Sequence, residues 1–170
     1  SGVRFALLLA VVGCGLTVAH AQPAVQLDVR FSKPLAVFHY IRQLTPKART
    51  NPYKAQFEAS RFATAANLAR LDAFGAIRTD YEYSYPDYPD GKIEGSTSYI
   101  LKRSLLLASS LADFRARSIA VLPSGDLSTI VSSLEAFTPA YDALIYEPNR
   151  TTFERQLAEI EALLKDKQVA

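Results

Sequence analysis

The chain has 170 residues, with 19 basic and 17 acidic side chains, two histidines and one cysteine. This nearly neutral charge argues against a nucleic-acid partner, and a single cysteine excludes a disulfide within the chain. Hydrophobic residues make up 49% of the sequence, which predicts a folded globular chain and not a disordered one.

The first 21 residues match the pattern of a secretory signal peptide. Arg4 supplies a positive charge, an apolar run follows at positions 5–18, and Ala19-His20-Ala21 is a small-x-small cleavage sequence. We therefore expect an exported protein, periplasmic or secreted, with a signal peptide at 1–21 and a single mature domain at 22–170. Cleavage would also remove the only cysteine and one of the two histidines.

An alternative processing route would anchor the protein to a membrane by a lipid. Val11-Val12-Gly13-Cys14 is a weak lipobox, in which Cys14 is the residue that would be lipidated. It lacks the leucine that usually stands three positions before the cysteine, so the soluble route is favoured. A retained membrane helix is disfavoured, because the apolar run has 14 residues whereas a bilayer requires about 20.

The mature chain begins with a strand pattern and continues as helix. Apolar and polar residues alternate over 25–31, which predicts one short N-terminal strand. Its partner would be the segment 81–85 or a strand beyond the end of the chain, because a lone strand is not stable. Ser32 and Pro34 then predict a helix start, and Thr45-Pro46-Lys47 predicts its end.

A second cap-then-proline signal, Asn51-Pro52, predicts a helical stretch that reaches Ile77 and is broken near Ser60. Leucines then predict a helix over Leu101–Arg117. The candidate core residues of the first stretch are Phe57, Phe62, Leu68, Leu71 and Phe74. The second stretch has a wide apolar face that consists of Leu105, Leu106, Leu107, Leu111 and Phe114.

The remaining helices are predicted from caps and prolines. Asp126 is the predicted N-cap of a helix that stops at Thr138-Pro139, where another helix begins. That helix is predicted to run to about Tyr146, and Pro148 ends it. Thr151 and Glu154 form a T-x-x-E capping box that would open the last helix. Its apolar face would carry Phe153, Leu157, Ile160 and Leu164.

These elements predict a mainly α fold, an array of about six or seven helices with one short N-terminal strand. The helical pattern reaches the C-terminus without a clear stop signal, which leaves open that the domain is incomplete. Charge is uneven along the array: residues 30–78 carry nine bases and two acids. A solvated helix face is the favoured explanation, and a basic face for an anionic partner is the alternative.

Residues 80–91, with the sequence DYEYSYPDYPDG, are the most unusual stretch. Tyrosine rings can stack on a glycan or a peptide while their hydroxyls and nearby carboxylates supply polar contacts. The alternative is a surface ribbon whose tyrosines pack on the helices and whose turn is Asp90-Gly91. The predicted ligand-binding residues are Tyr81, Tyr83, Tyr85, Tyr88, Asp87 and Asp90.

Few residues of the mature chain point to catalysis. His39 is the only remaining imidazole, and it lies inside an amphipathic helix pattern, so we expect a structural residue. Ser109-Ser110 and Ser132-Ser133 lie within helical patterns, and neither H-E-x-x-H nor G-x-S-x-G occurs. We therefore predict no catalytic residue, no metal site and no cofactor within this chain.

The order of elements resembles an uncharacterised group of secreted bacterial proteins. The likeness consists of the V-x-L-D-V-R-F segment at 25–31, the helical array, and the F-x-P-A-Y-D segment at Phe137–Asp142. In that group a zinc-peptidase-like H-E-x-x-H helix follows downstream, and this chain lacks the motif. The resemblance implies a non-catalytic helical module, the front part of a longer peptidase-like protein. The alternative is a complete periplasmic binding protein that uses the tyrosine-rich segment.

Overall fold

The computed structural model describes residue 29 and the ranges 31–77, 97–119 and 122–165. Within these ranges the protein is mainly helical, as predicted. The predicted strand at 25–31 lies almost wholly outside them, as does its candidate partner at 81–85, so the strand remains a prediction. The helices are α1 (Lys33–Leu44), α2 (Pro52–Glu58), α3 (Ala65–Ala76), α4 (Thr97–Leu107), α5 (Leu111–Ser118), α6 (Ser124–Tyr141) and α7 (Glu147–Lys165), and a π-helical segment (Asp142–Tyr146) joins α6 to α7.

The first helices begin where capping side chains and prolines predict. The Ser32 hydroxyl accepts a hydrogen bond from the Leu35 N–H, and the Asn51 side chain accepts one from the Lys54 N–H at 3.0 Å. A proline follows each cap, where its missing N–H costs nothing. The predicted break near Ser60 is confirmed, since α2 ends at Glu58 and Thr64 caps α3.

The core lies between α1 and α6. Helix α1 packs against α2, α3, α4 and α6, and α6 also contacts α3 and α5. Phe57 of α2 and Phe137 of α6 are almost completely buried, with ring centroids 5.5 Å apart. Burial of one such side chain contributes roughly 1.5–3 kcal/mol to the stability of the fold.

The predicted single helix over Leu101–Arg117 is wrong, because it is interrupted at 108–110. The Ser110 hydroxyl accepts from the Asp113 N–H at 3.1 Å, and Asp113 Oδ2 accepts from the Ser109 N–H at 2.9 Å. These two bonds begin α5, so Ser109 and Ser110 form a cap and do not lie within a helix. Ser132 and Ser133 do lie inside α6, as expected.

Two predicted helix starts, at Asp126 and at Thr151, are also wrong. The helix begins at Ser124 with Pro123 in the N-cap position, so Asp126 lies in the first turn and is not the cap. Its negative charge there is favourable beside the helix N-terminus. The predicted capping box of Thr151 and Glu154 does not open a helix either, because α7 already runs from Glu147.

Pro139 and Pro148 lie within a continuous helix, where breaks were predicted. Burial of neighbours such as Phe137 and Tyr141 outweighs the roughly 3 kcal/mol that an internal proline costs. At Pro148 the missing N–H frees the carbonyl of Leu144, and Gln56 Nε2 of α2 donates to that carbonyl at 3.1 Å. The π-helical segment accommodates the remaining irregularity in the backbone hydrogen bonding of the helix.

Several leucines of the predicted core and apolar faces are exposed. Leu68, Leu106 and Leu107 have 42–45% of their surface accessible, although Leu71, Phe74, Leu105 and Phe114 are buried as expected. On α7, Ile160 is 45% exposed and the neighbouring Leu163 67%, whereas Phe153, Leu157 and Leu164 are half-buried. In the part of the chain that the structure describes, no helix combines enough length and apolar character to cross a bilayer.

Candidate functional site: a cation-lined cavity

A cavity of about 270 Å³ opens where α1 and α3 end over the middle of α6. We call it the α1–α3 cavity. Its apolar wall comes from Phe38, Ala48, Phe74, Ile77 and Ile130, and its polar wall comes from Arg42, Thr45 and Lys47, with the backbone of Gly75 between them.

Local sequence explains why the cavity forms at this place. Thr45 ends α1, and its hydroxyl donates to the carbonyl of Arg42 at 3.0 Å. The chain then turns away, and the Ala48 N–H donates to the carbonyl of Thr45. On the opposite wall, Gly75 has no side chain; a Cβ there would lie 3.5 Å from Thr45 Cβ. The glycine therefore keeps space between the two helix ends.

The charged groups around the cavity are predominantly positive. Within the described residues, Arg42 and Lys47 form no ion pair, and Lys54 lies nearby with its ammonium 3.4 Å from the carbonyl of Thr45. The described residues 31–77 contain seven basic and two acidic side chains. The charge excess noted in the sequence therefore includes a specific pair of cations beside an apolar wall.

His39 lies on the exposed side of α1, edge-on to the ring of Phe38. Partial burial, together with the positive charges of Lys102 and Arg42, lowers the pKa of its imidazole below the ordinary 6.5. These surroundings therefore favour the neutral form of the imidazole. Its exposed position on the helix agrees with the expectation of an ordinary helix residue.

A second group of aromatic and cationic residues lies where the π-helical segment meets α7, and we call it the aromatic junction. The rings of Phe31, Tyr146 and Phe153 stack on one another with centroids 5.5–5.9 Å apart. Lys33 Nζ lies 4.8 Å from the Tyr146 centroid and 2.9 Å from Asp142 Oδ1. Arg150 contacts both Tyr146 and Glu147, so its charge is also paired.

Burial raises the pKa of two tyrosines beside the core. Desolvation raises the pKa of Tyr40 to about 12, and that of Tyr141 to about 12 with a further contribution from the charge of Asp142. The Tyr40 hydroxyl is buried without a hydrogen-bond partner in the described part of the protein. Their rings meet edge to face at 5.6 Å, which identifies both as packing residues.

The residues predicted to bind ligand lie outside the described ranges. This holds for Tyr81, Tyr83, Tyr85, Tyr88, Asp87 and Asp90, and also for Cys14. The tyrosine-rich site and the lipidation site therefore remain predictions. Among the residues that the structure does describe, no three metal-ligating side chains come together.

Sequence reasoning missed Arg42 and Lys47 as site residues. The sequence pattern predicts Phe74 as a core residue and Lys47 as part of a helix end, and it includes Arg42 only in a regional charge count. The available signal was the position of the two bases at the end of a predicted helix. Their relation to Phe74 depends on α3, some thirty residues further along the chain.

Comparison with protein-family models, with curated proteins and with solved structures gives no match for this chain. The resemblance to secreted peptidase-like proteins therefore remains a prediction.

Proposed function

We propose that this protein is a non-catalytic helical module of an exported protein, and that it acts by binding a ligand in the α1–α3 cavity. The observation that carries the proposal is the cavity itself, where two cations without an ion pair in the described residues stand beside an apolar wall. Concave sites that combine apolar walls with a few polar groups are the usual form of small-molecule sites.

The polar groups of the wall support binding by charge and not proton transfer. Guanidinium and ammonium groups attract and orient anionic groups through charge-assisted hydrogen bonds. The remaining side-chain hydroxyl, that of Thr45, already donates to the carbonyl of Arg42. The chemistry that this wall offers is therefore recognition of a bound group.

The experiment is a thermal-unfolding panel on the purified protein with small aromatic acids, amides and amines. We expect at least one probe to raise the melting temperature, because a ligand that binds only the folded state stabilises it. Ala48→Phe, which fills the cavity, should abolish this rise. Ala116→Phe is the matched control, because Ala116 is exposed on α5 away from the cavity.

Recovery of the probe after incubation tests the non-catalytic part of the proposal. We expect every probe to be recovered unchanged by mass spectrometry. Two results would contradict the proposal: a rise in melting temperature that is equal in Ala48→Phe, or no rise with any probe. Hydrolysis of a probe or peptide that is lost in His39→Ala would show a catalytic protein instead.

Export is tested separately from binding. Expressed with its own N-terminus in a bacterial host, the protein should be recovered outside the cytoplasm with Gln22 as its first residue. A mass that retains residues 1–21 would show that the segment is not a cleaved signal peptide. A lipid-modified N-terminus at Cys14 would establish the alternative route.

A further inference from the structure

We propose that the ligand of the α1–α3 cavity is a small organic anion, a carboxylate carried on an aromatic or branched aliphatic body. This inference rests on the proposed binding function and assigns its ligand class. Three features of the molecule support it: the apolar wall, the charge balance at the mouth and the contrast with the aromatic junction.

The wall fits an apolar group of modest size. Phe38 and Phe74 meet edge to face at 5.5 Å, and Ile130 lies beneath them with no accessible surface. Ile77 and Ala48, both half-buried, add apolar surface nearer the mouth. A volume of about 270 Å³ is at the lower end for ligand sites, so one ring with a short chain fits better than a drug-sized molecule.

The summed charge at the cavity mouth favours an anion, even when the partial negative charges of the nearby helix C-termini are included. The C-termini of α1 and α3 both lie at the cavity, and each contributes roughly half a negative charge, about −1 in total. Arg42 and Lys47 contribute two full positive charges, and Lys54 adds a third, with its ammonium 3.4 Å from the Thr45 carbonyl. The net charge at the mouth is therefore positive, which favours an anionic ligand over a cationic one.

At the aromatic junction, the same residue types are paired with other side chains of the protein. There Lys33 is paired with Asp142 and lies over Tyr146, and Arg150 is paired with Glu147. Within the described residues, Arg42 and Lys47 have no such ion pair. An external carboxylate would supply at the cavity what Asp142 and Glu147 supply at the junction.

Calorimetric titration with four probes tests the ligand class: phenylpropionate, phenylpropionamide, phenethylamine and propionate. We expect phenylpropionate to bind most tightly. The amide, which has the same shape without the charge, and propionate, which lacks the ring, should each bind at least about tenfold more weakly. Phenethylamine, the cation, should show no binding.

Three substitutions test whether the preference for the acid over the amide arises at the α1–α3 cavity. Arg42→Gln and Lys47→Gln should each weaken phenylpropionate by about tenfold and leave the affinity for the amide unchanged. Arg115→Gln removes the same charge from an exposed position on α5 and should change neither affinity.

Failure of this inference is distinguishable from failure of the proposed function. If the amide or the amine binds as tightly as the acid and Ala48→Phe abolishes that binding, the cavity is a binding site but the ligand is not an anion. If Arg42→Gln and Lys47→Gln behave like Arg115→Gln, the inference is also wrong. If no probe of any charge binds, the proposed function itself fails.

Discussion

The α1–α3 cavity and the aromatic junction are built from the same residue types but differ in how their charges are satisfied. At the junction three rings stack, and both cations have an acidic partner and an aromatic face. At the cavity two rings meet edge to face beside open space, and its two cations have no ion pair within the described residues. The junction therefore satisfies its cations with its own side chains, whereas the described residues do not do so at the cavity.

This difference separates a role in stability from a role in binding. A closed set of contacts contributes to the free energy of unfolding, and its disruption should destabilise the fold. Exposed cations contribute little to stability when they form no ion pair, as is the case for Arg42 and Lys47 within the described residues. Their removal should therefore change binding and leave the fold intact.

Tyr146→Ala should lower the free energy of unfolding by about 2–3 kcal/mol, because it removes the central ring of the junction and the surface on which Lys33 and Arg150 lie. Chemical denaturation measures this loss. Tyr53→Ala is the control, because Tyr53 is 46% exposed and its ring meets that of Tyr40 edge to face; it should cost less than about 1 kcal/mol. Equal losses would contradict the structural role of the junction.

Lysine substitutions compare the two regions directly. Lys33→Gln removes a pair with Asp142 and a contact with Tyr146, and should cost about 1 kcal/mol. Lys47→Gln should change the free energy of unfolding by less than about 0.5 kcal/mol. The same denaturation experiment measures both. A loss at Lys47 as large as that at Lys33 would show that the cavity cation is structural.

Gly75→Ala should raise stability by about 0.5–1 kcal/mol, since glycine is unfavourable inside a helix and the new methyl meets only ordinary contacts, at 3.5 Å from Thr45. The same methyl narrows the cavity, so phenylpropionate should bind less tightly.

Gly125→Ala in the first turn of α6 is the matched control for that substitution. Its Cβ would meet nothing within 4 Å, so the change should leave binding unaltered. A Gly75→Ala protein that binds phenylpropionate as tightly as Gly125→Ala would place the ligand elsewhere.

The smallest expected effect is a dependence of stability on pH through His39. Because its pKa is lowered in the folded protein, the unfolded chain binds the proton more tightly. The free energy of unfolding should therefore be highest above the ordinary pKa of 6.5 and fall as the pH is lowered through it.

His39→Gln should remove this dependence between about pH 7.5 and pH 5.5. The pKa of Asp113 is lowered by the Ser109 N–H and by Arg117, so its contribution is lost only at more acidic pH, below its ordinary 3.8. The two groups therefore act in separate windows. A slope near neutrality that persists in His39→Gln would assign the effect to another group.

The helix starts that sequence predicts correctly depend on neighbouring residues alone. Ser32 and Asn51 cap the helix that follows each of them. The proline after each cap lies in the first turn, where a backbone N–H would have no partner within the helix. The same rules failed at Pro139 and Pro148, because the outcome there depends on packing and on Gln56, nearly ninety residues before Leu144. Local signals determine caps, whereas tertiary contacts decide whether an internal proline is tolerated.

The candidate site was beyond sequence reasoning for a related reason. Arg42 and Lys47 lie at the end of α1, and Phe74 and Gly75 lie at the end of α3; only folding brings them to one cavity. The exposed leucines of α4 illustrate the same limit. Leu106 and Leu107 belong to the continuous apolar run 105–108, in which Leu105 and Ala108 are buried but these two leucines are not. Apolar sequence indicates a helix but does not determine which neighbours cover it.

The most direct test of the central claim is a backbone-amide NMR titration of the labelled protein with phenylpropionate. The account predicts chemical-shift changes at Arg42–Ala48 and Phe74–Ile77, saturating with one ligand per chain, while Tyr146–Phe153 of the aromatic junction stays unchanged. Changes centred on the junction, or none at either place up to saturating probe, would contradict the claim that the α1–α3 cavity is the open site of this protein.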